Sequence, residues 1–196
     1  MPLSEKLISL DLRLLTVAEY HQMVTAGILQ PDEKLELIAG QIIRQMSPQR
    51  RSHAAAIRRA DRLLSQRLGE QVMIQKQLPV ILNNWSEPEP DLAVVKLDPL
   101  DYEEDHPKVE DVYWIIEVAD STLRRDLEVK AFEYGRSQIQ ECWVLNLNHR
   151  QLYVYREPGK AGYQQQSILG EEKDVSPVQF PGCRIQVKEL LRSQNP

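Results

Sequence analysis

The run VYWIIEV, residues 112–118, constrains the fold of this chain more than any other segment. It is short, apolar and rich in β-branched and aromatic residues, which favours a central strand of a sheet. No apolar stretch of the chain approaches the roughly 18 to 20 residues that a membrane-spanning helix needs. Glu117 lies at the end of the run. Because an unpaired buried carboxylate is costly, its position indicates that a charge is needed at this end of the sheet.

Local patterns predict a helix and a hairpin in the first part of the chain. Thr16 and Glu19 match a capping box, so we expect a helix over residues 16–26. In KLELIAGQIIRQM, apolar and polar residues alternate up to the Ala39-Gly40 pair, which predicts the turn of a β-hairpin.

An amphipathic helix is predicted over residues 53–68, where apolar residues recur at helical spacing. Its outer face carries Arg58, Arg59 and Arg62. Such a face could contact nucleic-acid phosphates, but charged helix faces are usually just solvated, and we favour the second interpretation.

Strands dominate the predictions for the second part of the chain. VMIQKQLPVIL, residues 72–82, predicts a long strand in which Pro79 indicates an edge or a bulge. DLAVV predicts a short buried strand, and the acidic residues 97–111 predict a surface loop. After residues 112–118 we expect a helix capped by Ser121 or Thr122 and ended by Gly135. The remaining segments predicted as strands, the last of them with a short helix as the alternative, are CWVLNL, LYVYRE, YQQQSIL and residues 178–190.

This order of elements predicts an α/β (α+β) fold with one mixed β-sheet flanked by helices. With 196 residues, we expect a single domain over residues 16–196, preceded by an N-terminal arm at residues 1–15. Three tryptophans, Trp85, Trp114 and Trp143, are expected in the core or at a subunit interface.

Composition bounds the partners and the location. The chain has 24 Lys and Arg against 29 Asp and Glu, a formal charge of -5, which argues against nucleic-acid binding through bulk charge. Any nucleic-acid contact must therefore be local.

Cys142 and Cys183 lack the spacing of a zinc site and predict buried free thiols. With no membrane span and no signal sequence in evidence, we expect a cytoplasmic protein.

Two carboxylates and a lysine are the candidate chemical groups. Asp91 precedes one predicted strand, Glu117 ends another, and Lys130 follows on the next helix. A divalent metal can neutralise a phosphodiester, activate a water and stabilise the leaving oxygen. Mg²⁺ usually takes one or two protein carboxylates, and a nearby lysine can hold the attacking water or offset developing charge. The order therefore predicts a metal-dependent phosphodiesterase site.

These residues resemble a known family. The Pro90-Asp91 pair, the strand with Glu117, the STLRRD segment, Lys130 and the CWVLNL strand are similar to the Uma-type putative restriction endonucleases of the PD-(D/E)xK nuclease superfamily. The similarity covers residues 16–158. It implies a restriction-endonuclease-like core and a DNA endonuclease in which Mg²⁺ (or Mn²⁺) is held by Asp91 and Glu117.

The resemblance departs from the superfamily at the lysine. The usual form has a lysine two residues after the second acid, where this chain has Ala119. Similar families carry the lysine on the next helix, which would make Lys130 its equivalent, with Asp126 to orient it. Glu36 resembles an additional acid of such nucleases, and His53 matches the family pattern at a helix start.

Other interpretations of the same residues stay open. Asp91 could be a strand-start residue, Glu117 a paired structural acid, and Asp126 with Lys130 an ordinary helix salt bridge. Strict alternation would place Glu36 on a polar strand face, and His53 could be a capping-region residue. At the level of function, the alternatives are a non-catalytic member of the same fold that binds nucleic acid or protein, and a homodimeric scaffold built on residues 142–168.

Overall fold

The computed structural model describes residues 12–44, 50–120 and 126–193. Its helices and strands, in chain order, are α1 (Val17–Thr25), β1 (Leu35–Ile38), β2 (Gln41–Arg44), α2 (Arg51–Leu68), β3 (Met73–Gln75), β4 (Leu92–Val95), β5 (Val112–Ala119), a π-helical segment (Asp126–Lys130), α3 (Ala131–Arg136), β6 (Glu141–Asn146), β7 (Gln151–Gly159), β8 (Gly162–Gly170), β9 (Asp174–Val175), β10 (Ile185–Gln186) and α4 (Val187–Leu190). Short 3₁₀ turns lie at Pro31–Glu33, Gly69–Gln71 and Val109–Asp111.

A six-stranded mixed sheet forms the centre of the fold, with strand order β3-β4-β5-β6-β7-β8. Only the β5 and β6 pair is parallel, and the segment between these strands carries α3. The other neighbours are antiparallel. β5 is an inner strand, as its apolar sequence predicts.

Side-chain alternation along β5 divides the core between the two faces of the sheet. Trp114, Ile116 and Val118 pack on one face against α2 and α4. Ile115 and Ala119 pack on the other face with Tyr134 of α3. Glu117 shares the parity of Ile115 and Ala119, so its carboxylate is directed toward α3.

The local patterns of the first part of the chain are confirmed. The Thr16 hydroxyl and the Glu19 carboxylate form the reciprocal capping box that begins α1. β1 and β2 form the hairpin, and Ala39 and Gly40 both have positive φ, of 51° and 75°, as its two-residue turn requires. The predicted amphipathic helix is α2, which begins two residues before the predicted start.

The prediction of one long strand over residues 72–82 is wrong. Only Met73–Gln75 pairs with β4. The backbone then turns at Gln77, which has a positive φ of 53°, and Pro79 lacks the donor that a ladder needs. Beyond it, Ile81 makes an isolated bridge to Lys108. The segment covers the α3 face of the sheet with Val80 and Leu82.

Gly135 does not end its helix, because α3 continues to Arg136. A Cβ at Gly135 would lie 2.7 Å from the Tyr163 nitrogen and 2.8 Å from the Gly162 carbonyl carbon, so the glycine lets α3 approach the start of β8. The predicted caps Ser121 and Thr122 lie outside the described residues, as do residues 1–11 of the predicted arm.

The remaining predictions concern isolated side chains and the membrane. Trp114 and Trp143 are fully buried in the core, whereas Trp85 is exposed, so for Trp85 only the subunit-interface alternative of the prediction is left. Both cysteines are buried and free, as predicted. In the described parts of the chain, no helix has the length and apolar character that crossing a membrane requires.

Candidate active site

The antiparallel register of β4 and β5 brings Asp91 and Glu117 together. Leu92 pairs with Ile116, so Asp91, one residue earlier, lies opposite Glu117. The Val118 backbone N–H donates to Asp91 Oδ2 at 2.8 Å, and the Asp91 N–H donates to Glu117 Oε2 at 3.4 Å. Each carboxylate is thus tied to the backbone of the other strand.

Glu36 joins this pair from the β1 and β2 hairpin. The Glu87 N–H donates to the Leu37 carbonyl, which attaches β1 to the segment leading into β4. Two residues on, the Glu89 N–H donates to Glu36 Oε2 at 3.2 Å. Glu36 is only 1% exposed, so it does not lie on a polar strand face.

Lys130 lies between two of these acids. Its Nζ is 3.1 Å from Glu36 Oε2, 3.1 Å from Glu117 Oε1 and 3.3 Å from the Glu89 carbonyl oxygen. Lys130 is 3% exposed at the end of the π-helical segment. One turn later, the Tyr134 hydroxyl donates to Glu117 Oε1 at 2.6 Å.

His53 contacts Asp91 from the first turn of α2. Its Nε2 is 3.0 Å from Asp91 Oδ2, while Nδ1 is buried without a hydrogen-bond partner among the described residues. Burial lowers the pKa of His53, but the hydrogen bond and charge of Asp91 outweigh it and raise the pKa above its usual value. The imidazole therefore donates to Asp91 and restricts its orientation.

The site formed by Glu36, Asp91, Glu117 and Lys130 is short of positive charge. Burial raises the pKa of Glu117 to about 8, because the opposing effect of Lys130 is offset by the charges of Asp91 and Asp126. Lys130 itself is penalised by burial, yet the charges of Glu117 and Glu36 raise its pKa above the ordinary value. One ammonium thus serves several buried carboxylates, an arrangement that an added cation would stabilise.

The oxygens differ in how fully they are engaged. Glu117 Oε1 accepts from Lys130 and Tyr134, and Asp91 Oδ2 accepts from Val118 and has His53 beside it. Asp91 Oδ1 and Glu117 Oε2 accept long contacts, of 3.3 Å from Gln77 Nε2 and 3.4 Å from the Asp91 N–H. Weak bonds of this length are easily displaced, so these two oxygens suit a cation.

The donor set limits the kind of metal that fits. Among residues 12–44, 50–120 and 126–193, no group of three or more His, Cys, Asp or Glu side chains is arranged to hold a metal ion. Two carboxylates fit Mg²⁺, which keeps several waters and commonly takes one or two protein carboxylates. Glu36 Oε1, buried without a hydrogen-bond partner in the described part of the chain, is a further sign of unmet negative charge.

The structure thus brings together all five residues singled out in the sequence: Glu36, His53, Asp91, Glu117 and Lys130. Asp126 is buried nearby, and its charge acts on Lys130 and Glu117. The sequence analysis did not single out Tyr134, although its position four residues after Lys130 on a helix is the signal that could have found it. Gln77 carried no such signal, since its contact with Asp91 depends on the turn after β3.

Comparisons with known proteins agree with this geometry. The model of the Uma2 family, described as a putative restriction endonuclease, matches residues 17–188. A putative nuclease of DUF820 from Anabaena variabilis ATCC 29413, known from a crystal structure, has a similar fold, with a TM-score of 0.68 at 17% sequence identity over 90% of this chain and 97% of that chain. No curated protein matches the sequence. The mixed sheet flanked by helices is a restriction-endonuclease-like core, as predicted. By its family match, the chain belongs to the Uma2 putative restriction endonucleases.

Proposed function

We propose that this protein is a Mg²⁺-dependent endonuclease that hydrolyses phosphodiester bonds in DNA. The observation that carries the proposal is the arrangement of the partly buried Asp91 with the buried Glu117 and Lys130 at one end of the central strands, where each carboxylate keeps one weakly engaged oxygen. Family membership supports a nuclease, and nucleases with this core generally use divalent metals.

Asp91 and Glu117 are the residues that would hold the metal, through Asp91 Oδ1 and Glu117 Oε2. A bound Mg²⁺ supplies Lewis-acid polarisation of the phosphate and lowers the pKa of a bound water. The pKa of Glu117, raised to about 8 by burial, means that its proton competes with a cation. Cleavage should therefore be favoured on the alkaline side of neutrality.

Lys130 acts as a cation and hydrogen-bond donor. Its raised pKa keeps it protonated at neutral pH, so it does not accept the proton of the attacking water. From its place between Glu36 and Glu117 it can orient that water and offset the negative charge that develops on the phosphate.

Glu36, Tyr134 and His53 are positioning residues in this proposal. Glu36 holds the Lys130 ammonium together with Glu117, each at 3.1 Å. Tyr134 fixes Glu117 Oε1, which leaves Oε2 for the metal, and His53 does the same for Asp91 by contacting Oδ2. Such supporting contacts keep reactive groups within the narrow range of geometry that catalysis needs.

The test is cleavage of plasmid and linear DNA by purified protein with Mg²⁺ or Mn²⁺. We expect nicked or shortened products from the wild type, and losses of at least about 100-fold for Asp91→Asn and for Lys130→Met, in the range that electrostatic groups contribute. Asp32→Asn and Lys160→Met are matched controls, because both residues are exposed and lie outside the site. Cleavage that survives both site substitutions would overturn the proposal.

Calorimetric titration with Mn²⁺ separates this enzyme from a non-catalytic member of the same fold. The missing lysine at position 119 favours that second candidate, in which Lys130 and the acids would form a structural ion-pair network. Binding that disappears in Asp91→Asn supports the metal site. If the titration gives no heat of binding up to millimolar Mn²⁺, the non-catalytic candidate is favoured.

A further inference from the structure

Four arginines lie close together on the outer side of α2, next to the residues that follow α4. Arg58, Arg59 and Arg62 belong to α2, and Arg192 follows α4. Arg59 Nε donates to the Leu190 carbonyl at 3.3 Å, and Arg150 Nη1 donates to the Arg192 carbonyl at 3.2 Å. We call Arg58, Arg59, Arg62 and Arg192 the arginine cluster.

The cluster has no carboxylate partner in residues 12–44, 50–120 and 126–193. Nearby acids are already engaged: Glu171 with Arg150, Glu172 with Lys188, and Glu189 with Arg67. Burial and then the charges of Arg62, Arg192 and Arg58 lower the pKa of Arg59. The positive charges therefore act on one another here without an ion-pair partner among the described residues, although the chain as a whole has a formal charge of -5.

Arg59 and Arg192 also line an open cavity of about 580 Å³. The two share it with Arg150, Lys188 and the acids that pair with them. The basic side chains that line the cavity are thus partly neutralised by these acids. Arg59 and Arg192 of the arginine cluster supply the remaining positive charge. A guanidinium with free donors is well suited to phosphate oxygens, since its fork matches their geometry.

The cluster lies at the same end of the sheet as the candidate active site. Asp120, three residues after Glu117, accepts from Ser52 Oγ at 2.7 Å and lies 3.4 Å from Arg50 at the start of α2. The Leu147 N–H donates to the Ala119 carbonyl, which brings the turn before Arg150 to the same end of the sheet. At 1.5 Å per helical residue, Arg59 and Arg62 lie only about 9 and 14 Å along α2 from His53.

We propose that the arginine cluster is a binding surface for the phosphate backbone of the DNA substrate, outside the site of cleavage. The inference rests on the proposed function. A span of about 9 to 14 Å corresponds to about three to four base steps at 3.4 Å each. The DNA strand would leave the active site past His53, cross the first turns of α2 and lie against these arginines. Contacts of this kind position the substrate and carry no sequence information.

The test measures DNA binding without cleavage, in EDTA, as a function of salt. The probe is a labelled duplex of about 20 base pairs, which is about 68 Å long and spans both surfaces. Arg62→Gln/Arg192→Gln removes two cluster side chains that make no described ion pair or hydrogen bond, so the fold should be retained. If two phosphate contacts are lost, the slope of log K against log salt becomes shallower by about 1.8.

Lys160→Gln/Arg184→Gln is the matched control, because it changes the net charge equally at exposed residues outside the cluster. Its salt slope should equal that of the wild type. Equal changes in both double variants, or no change in either, would overturn the inference. So would equal binding of the wild type to poly-glutamate and to DNA, which would assign the surface to an acidic protein. Because this readout needs no hydrolysis, it is independent of the cleavage assay.

Discussion

Tyr134 is the residue whose contribution to the site can be isolated most cleanly. Its hydroxyl donates to Glu117 Oε1 at 2.6 Å in a buried setting. Above about pH 8, where Glu117 is ionised, a hydrogen bond to such a charged group contributes about 1.5 to 3 kcal/mol. Tyr134→Phe should therefore lower the free energy of unfolding by about that amount, and cleavage by about tenfold or more, as Glu117 loses its orientation. Urea unfolding and initial cleavage rates measure the two effects.

The control for this prediction is Tyr163→Phe. The Tyr163 hydroxyl is buried without a hydrogen-bond partner in the described part of the chain, so its removal should cost little stability. If both Phe variants behaved alike, the bond from Tyr134 to Glu117 would have no special role.

The raised pKa of Glu117 predicts that the stability of the metal-free protein depends on pH. Its pKa is raised in the folded state from 4.5 to about 8, so the folded state binds the proton more tightly than the unfolded state. This contribution to stability is fully present below about pH 4.5 and is lost as the pH rises through about 8. Urea unfolding in EDTA should show that decline in the wild type and a smaller decline in Glu117→Gln.

Glu104→Gln serves as the control, since Glu104 is exposed in the loop before β5. Its stability curve should run parallel to that of the wild type. A Glu117→Gln curve that was also parallel would show that the carboxyl is not protonated in the folded protein.

At the scale of the element, α3 depends on one close approach. Ala at position 135 would meet backbone atoms of Gly162 and Tyr163 at less than 3 Å, so either α3 or the β7 and β8 hairpin must shift. Overpacking of this kind typically costs about 1 to 3 kcal/mol. We expect Gly135→Ala to lower the melting temperature and, because α3 carries Tyr134 and follows Lys130, to reduce cleavage as well.

Gly170→Ala tests the same hairpin without the clash, since nothing lies within 4 Å of a Cβ added there. It should be tolerated in both assays. A Gly135→Ala protein as stable and active as the wild type would mean that the contact between α3 and β8 is not needed to place the site.

The elements that sequence predicted well are those whose signal is local. The capping box of Thr16 and Glu19, the Ala39-Gly40 turn and the apolar run of β5 need no tertiary information. The strand predicted over residues 72–82 failed because the local sequence does not mark Gln77 as a turn, although the backbone turns there and Gln77 Nε2 contacts Asp91. The role of Gly135 was likewise set by a distant hairpin.

At the scale of the whole molecule, the site is assembled from segments far apart in the chain. Glu36 comes from a hairpin, Asp91 from the residue before β4, and Lys130 from a helical segment. Their meeting depends on the sheet register and on the bridge from Leu37 to Glu87. The order of the acids and the lysine was visible in the sequence. The burial of Glu36 was not, because strand alternation alone cannot show that β1 packs over the site.

A crystal structure of the protein soaked with Mn²⁺ tests the central claim most directly. We predict an anomalous-scattering peak within bonding distance of Asp91 Oδ1 and Glu117 Oε2, with Lys130 Nζ within hydrogen-bond reach of a metal-bound water. The peak should disappear in Asp91→Asn crystals. A soak at millimolar Mn²⁺ with no peak between these carboxylates, or with the ion bound elsewhere, would contradict the proposed metal-dependent active site.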